Sequence, residues 1–203
     1  MFAAILVPLR TPQERAAYLL THFWDSLNFA DTLHSRNSIF MEQNLISYFS
    51  LFPHVQAEAR IMAVKSLMQR AEVDETAYRL LARLAEKHLY TFGSPMQNEE
   101  YFIPFLEEIV GTSLLDETEK SRFRFLLSAA LKNRPGTMAT DFTYLTPNGE
   151  LQTLYTVPAT YRLLLLFYDP DCLHCREIIT ALSTASCLQQ QIESGQLTVL
   201  AIC

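Results

Sequence analysis

Glycine is scarce in this chain, five in 203 residues. With nine prolines and 49% hydrophobic residues, that composition excludes a collagen-like or disordered polypeptide. No glycine-rich phosphate-binding loop, Ser-His-Asp order or H-E-x-x-H can be read anywhere. Cysteine is scarce too, and four are too few to staple a disulfide scaffold. Basic charge is in deficit, with 16 Lys and Arg against 22 Asp and Glu, a net charge of −6. No basic stripe is present to neutralise phosphates, so no nucleic-acid partner is expected. Long apolar runs are missing as well. The longest are residues 1–7, stopped by Pro8, and residues 163–168, far short of the ~20 needed to cross a bilayer. The chain is therefore expected not to span a membrane. No signal peptide is visible at residues 1–9, because no basic residue precedes the apolar run and Pro8-Leu9-Arg10 is no small-residue cleavage site.

What the chain does have is length enough for one large or two small domains, burying about 70% of the unfolded surface, and two rhythms of apolar residues. From Thr11 to about Asn133 the spacing is helical. Thr11, Pro12 and Glu14 form a T-x-x-E start with proline at the first helical position, and Ala16, Leu19, Leu20, Phe23 and Trp24 then make one face. A polar stretch, residues 28–37, interrupts. A second helix carries Met41, Leu45, Phe49 and Phe52 and ends before Pro53. A third carries Ala57, Ile61, Val64 and Met68. Asp74 caps a fourth with Tyr78, Leu81, Ala85 and Leu89 inward, and Gly93-Ser94-Pro95 breaks the chain. A fifth holds Phe102, Phe105, Leu106 and Ile109 and ends at Gly111. Asp116 caps a sixth, with Phe123, Leu126, Leu127, Ala130 and Leu131 inward. No repeat signature recurs among them.

Arg134-Pro135-Gly136 closes the helical part, and the period changes. Residues 142–145 read as a strand, Pro147-Asn148-Gly149 as a hairpin turn in which Asn-Gly tolerates positive φ, and residues 151–155 as the return strand. The apolar run 162–167 reads as a central strand covered on both faces. A helix from about Cys175 to Ile192 follows, with Ile178, Leu182, Ala185, Leu188 and Ile192 inward. Residues 197–202 form another buried strand, which completes a β-α-β unit. The reading is a two-part chain: an all-α helical domain over residues 1–135, then a partial α/β fold over residues 136–203.

Between that strand and helix lies Asp169-Pro170-Asp171-Cys172-Leu173-His174-Cys175. A C-x-x-C pair that follows a buried strand and opens a helix meets the unpaired N–H groups of the helix start, which favour a thiolate. Cys172 is the expected exposed nucleophile, and Cys175, one turn further in, the resolving thiol. His174 would lower the thiolate's pKa as an imidazolium, while Asp171 and Asp169 oppose it by like charge. A zinc knuckle would need two more ligands, but Cys187 and Cys203 are single and sixteen positions apart, so no metal site is expected. Cys187, on the opposite side of its helix from Ile178, reads as a surface or domain-interface thiol and Cys203 as an ordinary strand residue. His22 with Trp24 and Asp25 reads as a partnered core or boundary histidine. Asn98-Glu99-Glu100 reads as a helix start with acidic first-turn residues.

Residues 137–203 look like the first half of a thioredoxin-fold domain of the peroxiredoxin-like and cytochrome-maturation type. The match rests on Pro135-Gly136, Ala139-x-Asp141-Phe142, Asn148-Gly149 and the strand that ends in Asp169-Pro170-Asp171-Cys172-Leu173-His174-Cys175. Upstream, Glu14-Arg15-Ala16-Ala17-Tyr18-Leu19, His22-Phe23-Trp24-Asp25, Asp31-Thr32 and residues 98–107 resemble the helical domain of unassigned function that precedes a thioredoxin domain in Bacteroidetes thiol–disulfide proteins. Asp171 stands where thioredoxins commonly carry tryptophan. The resemblance implies a thiol–disulfide oxidoreductase without cofactor, with Cys172 and Cys175 catalytic and Pro170, Asp171 and His174 around them. It further implies protein disulfides or thiols as substrates, a redox partner protein, and a periplasmic or cell-envelope setting. A complete domain of this type continues for two more strands, a cis-proline loop and a closing helix, and redox activity is expected of that intact domain. The alternative expectation is an interaction module, whose helical part docks a partner while the redox half is inactive.

Overall fold

The computed structural model describes residues 11–158 and 161–203. The apolar start at residues 1–9, read above for an export signal, lies outside them. The chain divides after Ala139 into two compact units.

The first unit is helical. Its elements are α1 (Pro12–His22), α2 (Thr32–Ser35), α3 (Ser38–Phe49), α4 (Ala57–Ala71), α5 (Glu75–Leu89), α6 (Glu99–Gly111) and α7 (Glu117–Ala130). Short-range side-chain chemistry starts most of them. The Thr11 hydroxyl accepts from the Glu14 amide while the Glu14 carboxylate accepts from the Thr11 amide, and Asp116 and Glu119 repeat the arrangement at α7. Asp31, Asn37, Asp74 and Asn98 cap α2, α3, α5 and α6. The polar stretch that interrupts the apolar pattern thus contains the one-turn helix α2, started by the Asp31 cap.

The core gathers Leu20, Trp24, Met41, Leu45, Tyr48, Phe52, Val64, Leu67, Met68, Tyr78, Leu81, Leu89, Phe102, Phe105, Leu106 and Ile109. Each large apolar side chain buried this way contributes about 1.5–3 kcal/mol. Pro53 sits in a 3-10 turn, Phe52–His54, that follows α3. Arg60 fastens this turn by donating to the carbonyls of Phe52 (3.1 Å) and Val55 (2.6 Å) while its guanidinium lies over the Tyr101 ring. Three expected inward positions are exposed. Ala57 and Ile61 lie on the first turns of α4, before its buried stripe of Val64, Leu67, Met68 and Ala71 begins. Leu131 is the C-cap of α7 and faces water.

The second unit holds a hairpin and a β-α-β segment. Strands β1 (Thr143–Leu145) and β2 (Leu151–Thr153) pair antiparallel with Thr143 opposite Thr153. Gly149 alone takes the positive φ, +80°, and its amide donates to the Thr146 carbonyl, so the connection is a three-residue loop with glycine in the left-handed position. The return strand stops at Thr153, where a 3-10 turn, Leu154–Thr156, takes over.

Strands β3 (Leu163–Phe167) and β4 (Thr198–Ile202) pair in parallel, Leu163 opposite Thr198 through Phe167 opposite Ile202. Burial corrects the expectation of a strand covered on both faces. Residues 163–166 are only half-buried and Phe167 is exposed, because β3 pairs with β4 alone among the described residues. The expected single helix is two: α8 (Leu173–Thr184) and α9 (Ser186–Glu193), separated at Ala185, whose ψ of 105° is extended. Ile178, expected inward, is exposed, while Ile192 faces the apolar space over the strands as expected, though its outer part reaches water. Ile179 joins Leu182 and Leu188 in lining the apolar space over Leu164, Leu166, Val199 and Ala201.

Candidate thiol site at the start of α8

In a parallel β-α-β segment the strands deliver their carboxyl ends to one edge, and the following helix begins there. The Tyr168 amide still donates to the Ile202 carbonyl (2.9 Å), so the ladder runs one residue past β3 before the chain turns. The turn is set by local hydrogen bonds. The Asp169 carboxylate accepts from the Asp171 amide (2.9 Å), and its carbonyl accepts from the Cys172 amide (3.2 Å). Helix α8 then starts at Leu173, two residues earlier than expected, with Cys172 as its N-cap.

In this position the sulfur replaces the oxygen of an ordinary cap. The Cys175 amide donates to Cys172 Sγ at 3.4 Å. That amide holds the Cys172 thiol below the ordinary cysteine range, helped by a hydrogen bond from the Cys175 thiol and by the His174 amide, while the charge of Asp169 opposes. Both sulfurs of the pair are half-buried free thiols. The helix start therefore favours an anion at one accessible sulfur, with a second thiol one turn away.

The neighbours divide from the expectation. The His174 ring points away to Glu177, Nδ1 to Oε2 at 3.5 Å, with both side chains 79% exposed, and it is the His174 amide that acts on Cys172. Between the two flanking carboxylates, the opposing charge is that of Asp169. Pro170 supplies a carbonyl to Arg176 Nε (3.1 Å), and the Arg176 amide donates to the Cys172 carbonyl (3.2 Å). Arg176 thus ties the turn to the first coil of α8, a role the sequence reading missed. Its position four residues after Cys172 was the available signal. Cys187 and Cys203 are exposed. Cys203 lies beside Tyr168 by strand register, and its thiol pushes the Tyr168 hydroxyl's pKa upward. Among the described residues no group of three or more His, Cys, Asp or Glu side chains is placed to hold a metal ion.

In the helical unit, His22 Nδ1 meets Asp25 (2.7 Å), and Asp25 in turn lies 3.5 Å from Arg70. Asn98 caps α6, and Glu100 in its first turn accepts two bonds from Arg134 (2.8 and 2.6 Å). These pairs fasten helices and enclose no nucleophile.

A family model described as a domain of unknown function, DUF5106, matches residues 2–133. The chain belongs to this family. The match ends before the cysteine pair. The crystal structure of a thioredoxin-like protein from Bacteroides caccae resembles 99% of this chain and 72% of that one, with 37% identity and a TM-score of 0.88. That likeness spans the part that carries Cys172. Among curated proteins none matches. No described helix is long and apolar enough to cross a membrane.

Proposed function

We propose that this protein is a thiol–disulfide oxidoreductase that uses Cys172 as the attacking sulfur and Cys175 as the resolving one. The Cys172 thiolate attacks one sulfur of a substrate disulfide, and the other substrate sulfur leaves as a thiolate and takes up a proton. Cys175, giving up its own proton, then attacks Cys172. The first substrate sulfur is released, and the pair ends as a disulfide two electrons more oxidised. Run backward, the same steps oxidise substrate thiols. The observation that carries this reading is the amide-capped Cys172 sulfur with Cys175 one helical turn away. The likeness to a thioredoxin-like protein supports it. No cofactor is needed for the exchange. Substrates and redox partner would be proteins, and by resemblance the setting would be periplasm or cell envelope, which fractionation of the native cells would test.

Insulin reduction under dithiothreitol tests the reaction. The wild type should accelerate precipitation, and Cys172→Ser should not. Equal rates in the two would overturn the assignment.

A second reading is an interaction module built on the helical unit. It is favoured by the family match, which covers residues 2–133 and includes no cysteine. Capture of the same protein by the wild type and by Cys172→Ser would support docking independent of redox chemistry.

A further inference from the structure

The surface around the capped sulfur carries an unbalanced charge, and this bears on which substrates reach it. The inference rests on the thiol–disulfide reading above. Between residues 169 and 177 the chain places three carboxylates, Asp169, Asp171 and Glu177, against one guanidinium, Arg176. All four residues are exposed, Glu177 at 79% of its side chain. The lone guanidinium is tied to the loop, its Nε donating to the Pro170 carbonyl at 3.1 Å. The His174 imidazole rests against Glu177, outside the sulfur's hydrogen bonds. Asp169 acts on the sulfur directly, since its charge opposes the thiolate. The imbalance continues through the unit: residues 140–203 hold six carboxylates and only two guanidinium groups. Beside the sulfur, the residue that opens α8 is Leu173, 73% exposed, which offers an uncharged contact on the same approach.

We infer that Cys172 selects cationic substrates: disulfides and thiols whose reacting sulfur is flanked by positive charge, as in Lys- or Arg-rich cysteine peptides. A like-charged approach is slowed by the same groups. In water, one unit pair at about 7 Å changes an encounter roughly threefold, so two net charges give roughly sevenfold. The effect fades as the Debye length falls from about 30 Å at 0.01 M salt to about 3 Å at 1 M.

Three small disulfides probe this: cystamine (dication), 2-hydroxyethyl disulfide (neutral) and 3,3′-dithiodipropionate (dianion). Oxidation of the Cys172–Cys175 pair is timed with each at 0.01 M and 0.5 M salt, in the wild type and in the double variant Asp171→Asn, Glu177→Gln. Each charged rate is divided by the neutral one, so that differences in thiolate fraction between the proteins cancel. The cystamine-to-neutral ratio should be about sevenfold higher in the wild type than in the variant at low salt, the dithiodipropionate ratio lower by a similar factor, and both should converge at high salt. Ratios that are the same in the two proteins, or indifferent to salt, would overturn the charge preference while leaving the exchange reaction in place. Failure of all three disulfides to oxidise the pair would instead overturn the oxidoreductase assignment, and the selectivity with it.

Discussion

Asp74 performs two tasks with one carboxylate, and separating them tests how the helical unit is held together. It caps α5 by accepting from the Ala77 amide at 2.8 Å, and it receives Arg36 Nε at 3.1 Å, a contact that ties the segment after α2 to α5. The helix it starts is the most heavily buried of the unit, with Tyr78, Leu80, Leu81, Leu84 and Leu89 all inward. Asp74→Ala removes both contacts. A lost cap costs about 1 kcal/mol. The ion pair, whose Arg36 side chain is 47% exposed, adds about 0.5 kcal/mol. The sum, about 1.5 kcal/mol, corresponds to a melting point lower by roughly 3–6 °C for a chain of this size. Asp74→Asn keeps an oxygen for the Ala77 amide and gives up only the charge, so it should cost about 0.5 kcal/mol. Trp24, the sole tryptophan, is buried in this unit, so denaturant unfolding followed by its fluorescence reports on these helices. Acid separates the variants further. Arg36, and after it the Ala77 amide, hold the Asp74 carboxyl below its usual range. Its contribution is therefore complete above the unfolded-state value near 3.9 and is lost as pH falls through the lower folded value. Wild type should approach Asp74→Asn in stability at the acid end. If Asp74→Asn proves as damaging as Asp74→Ala at neutral pH, the cap hydrogen bond is not what starts α5.

Two more outcomes follow from single hydrogen bonds. The Tyr48 hydroxyl is buried with no partner among the described residues, whereas the Tyr78 hydroxyl donates to the Glu108 carbonyl at 3.0 Å. Tyr48→Phe should therefore leave unfolding free energy unchanged or raise it by up to about 1 kcal/mol, while Tyr78→Phe lowers it by about 1 kcal/mol or more. At the thiol pair, His174→Gln should leave the pH profile of Cys172 alkylation in place, because the amide acts there and the ring does not. Cys175→Ala, which removes the thiol donor, should move the profile only part-way upward, since the position-175 amide that caps the sulfur survives; mass mapping of iodoacetamide adducts reads both.

How far the fold was legible depended on the range of the force involved. Caps act over three residues, and Thr11, Asp74, Asn98 and Asp116 stand at helix starts as their side chains demand. Periodicity marked the faces of α3, α5 and α6. It could not say how far along a face the neighbours reach. Ile61 shares a side of α4 with Met68, two turns away, yet only Met68 is covered. The break between α8 and α9 has no proline or glycine to announce it. Side-chain donors act there: the Ser183 and Thr184 hydroxyls both donate to the Thr180 carbonyl, the Gln189 amide donates to the Ser183 carbonyl, and the chain leaves the helix at Ala185. An apolar run such as residues 163–167 signals that cover is wanted on both faces, and cannot state what supplies it.

At the thiol pair the same distinction decides which residues matter. The strand–turn–helix context was readable, and it places Cys172 where amides converge. The expectation that failed was the one about a neighbouring side chain. His174 and Glu177 stand three apart, a spacing that brings them together on a helix, so the imidazole has a partner before it can reach the sulfur. Side chains near a helix start have alternatives of this kind, while the amide of residue 175 has none once Leu173 and His174 are helical. The amide of residue 175 is thus the largest influence on the sulfur, with the Cys175 thiol and the Asp169 charge acting beside it. On the charge preference inferred above, the exposed side chains at 171, 173 and 177 act on what approaches it.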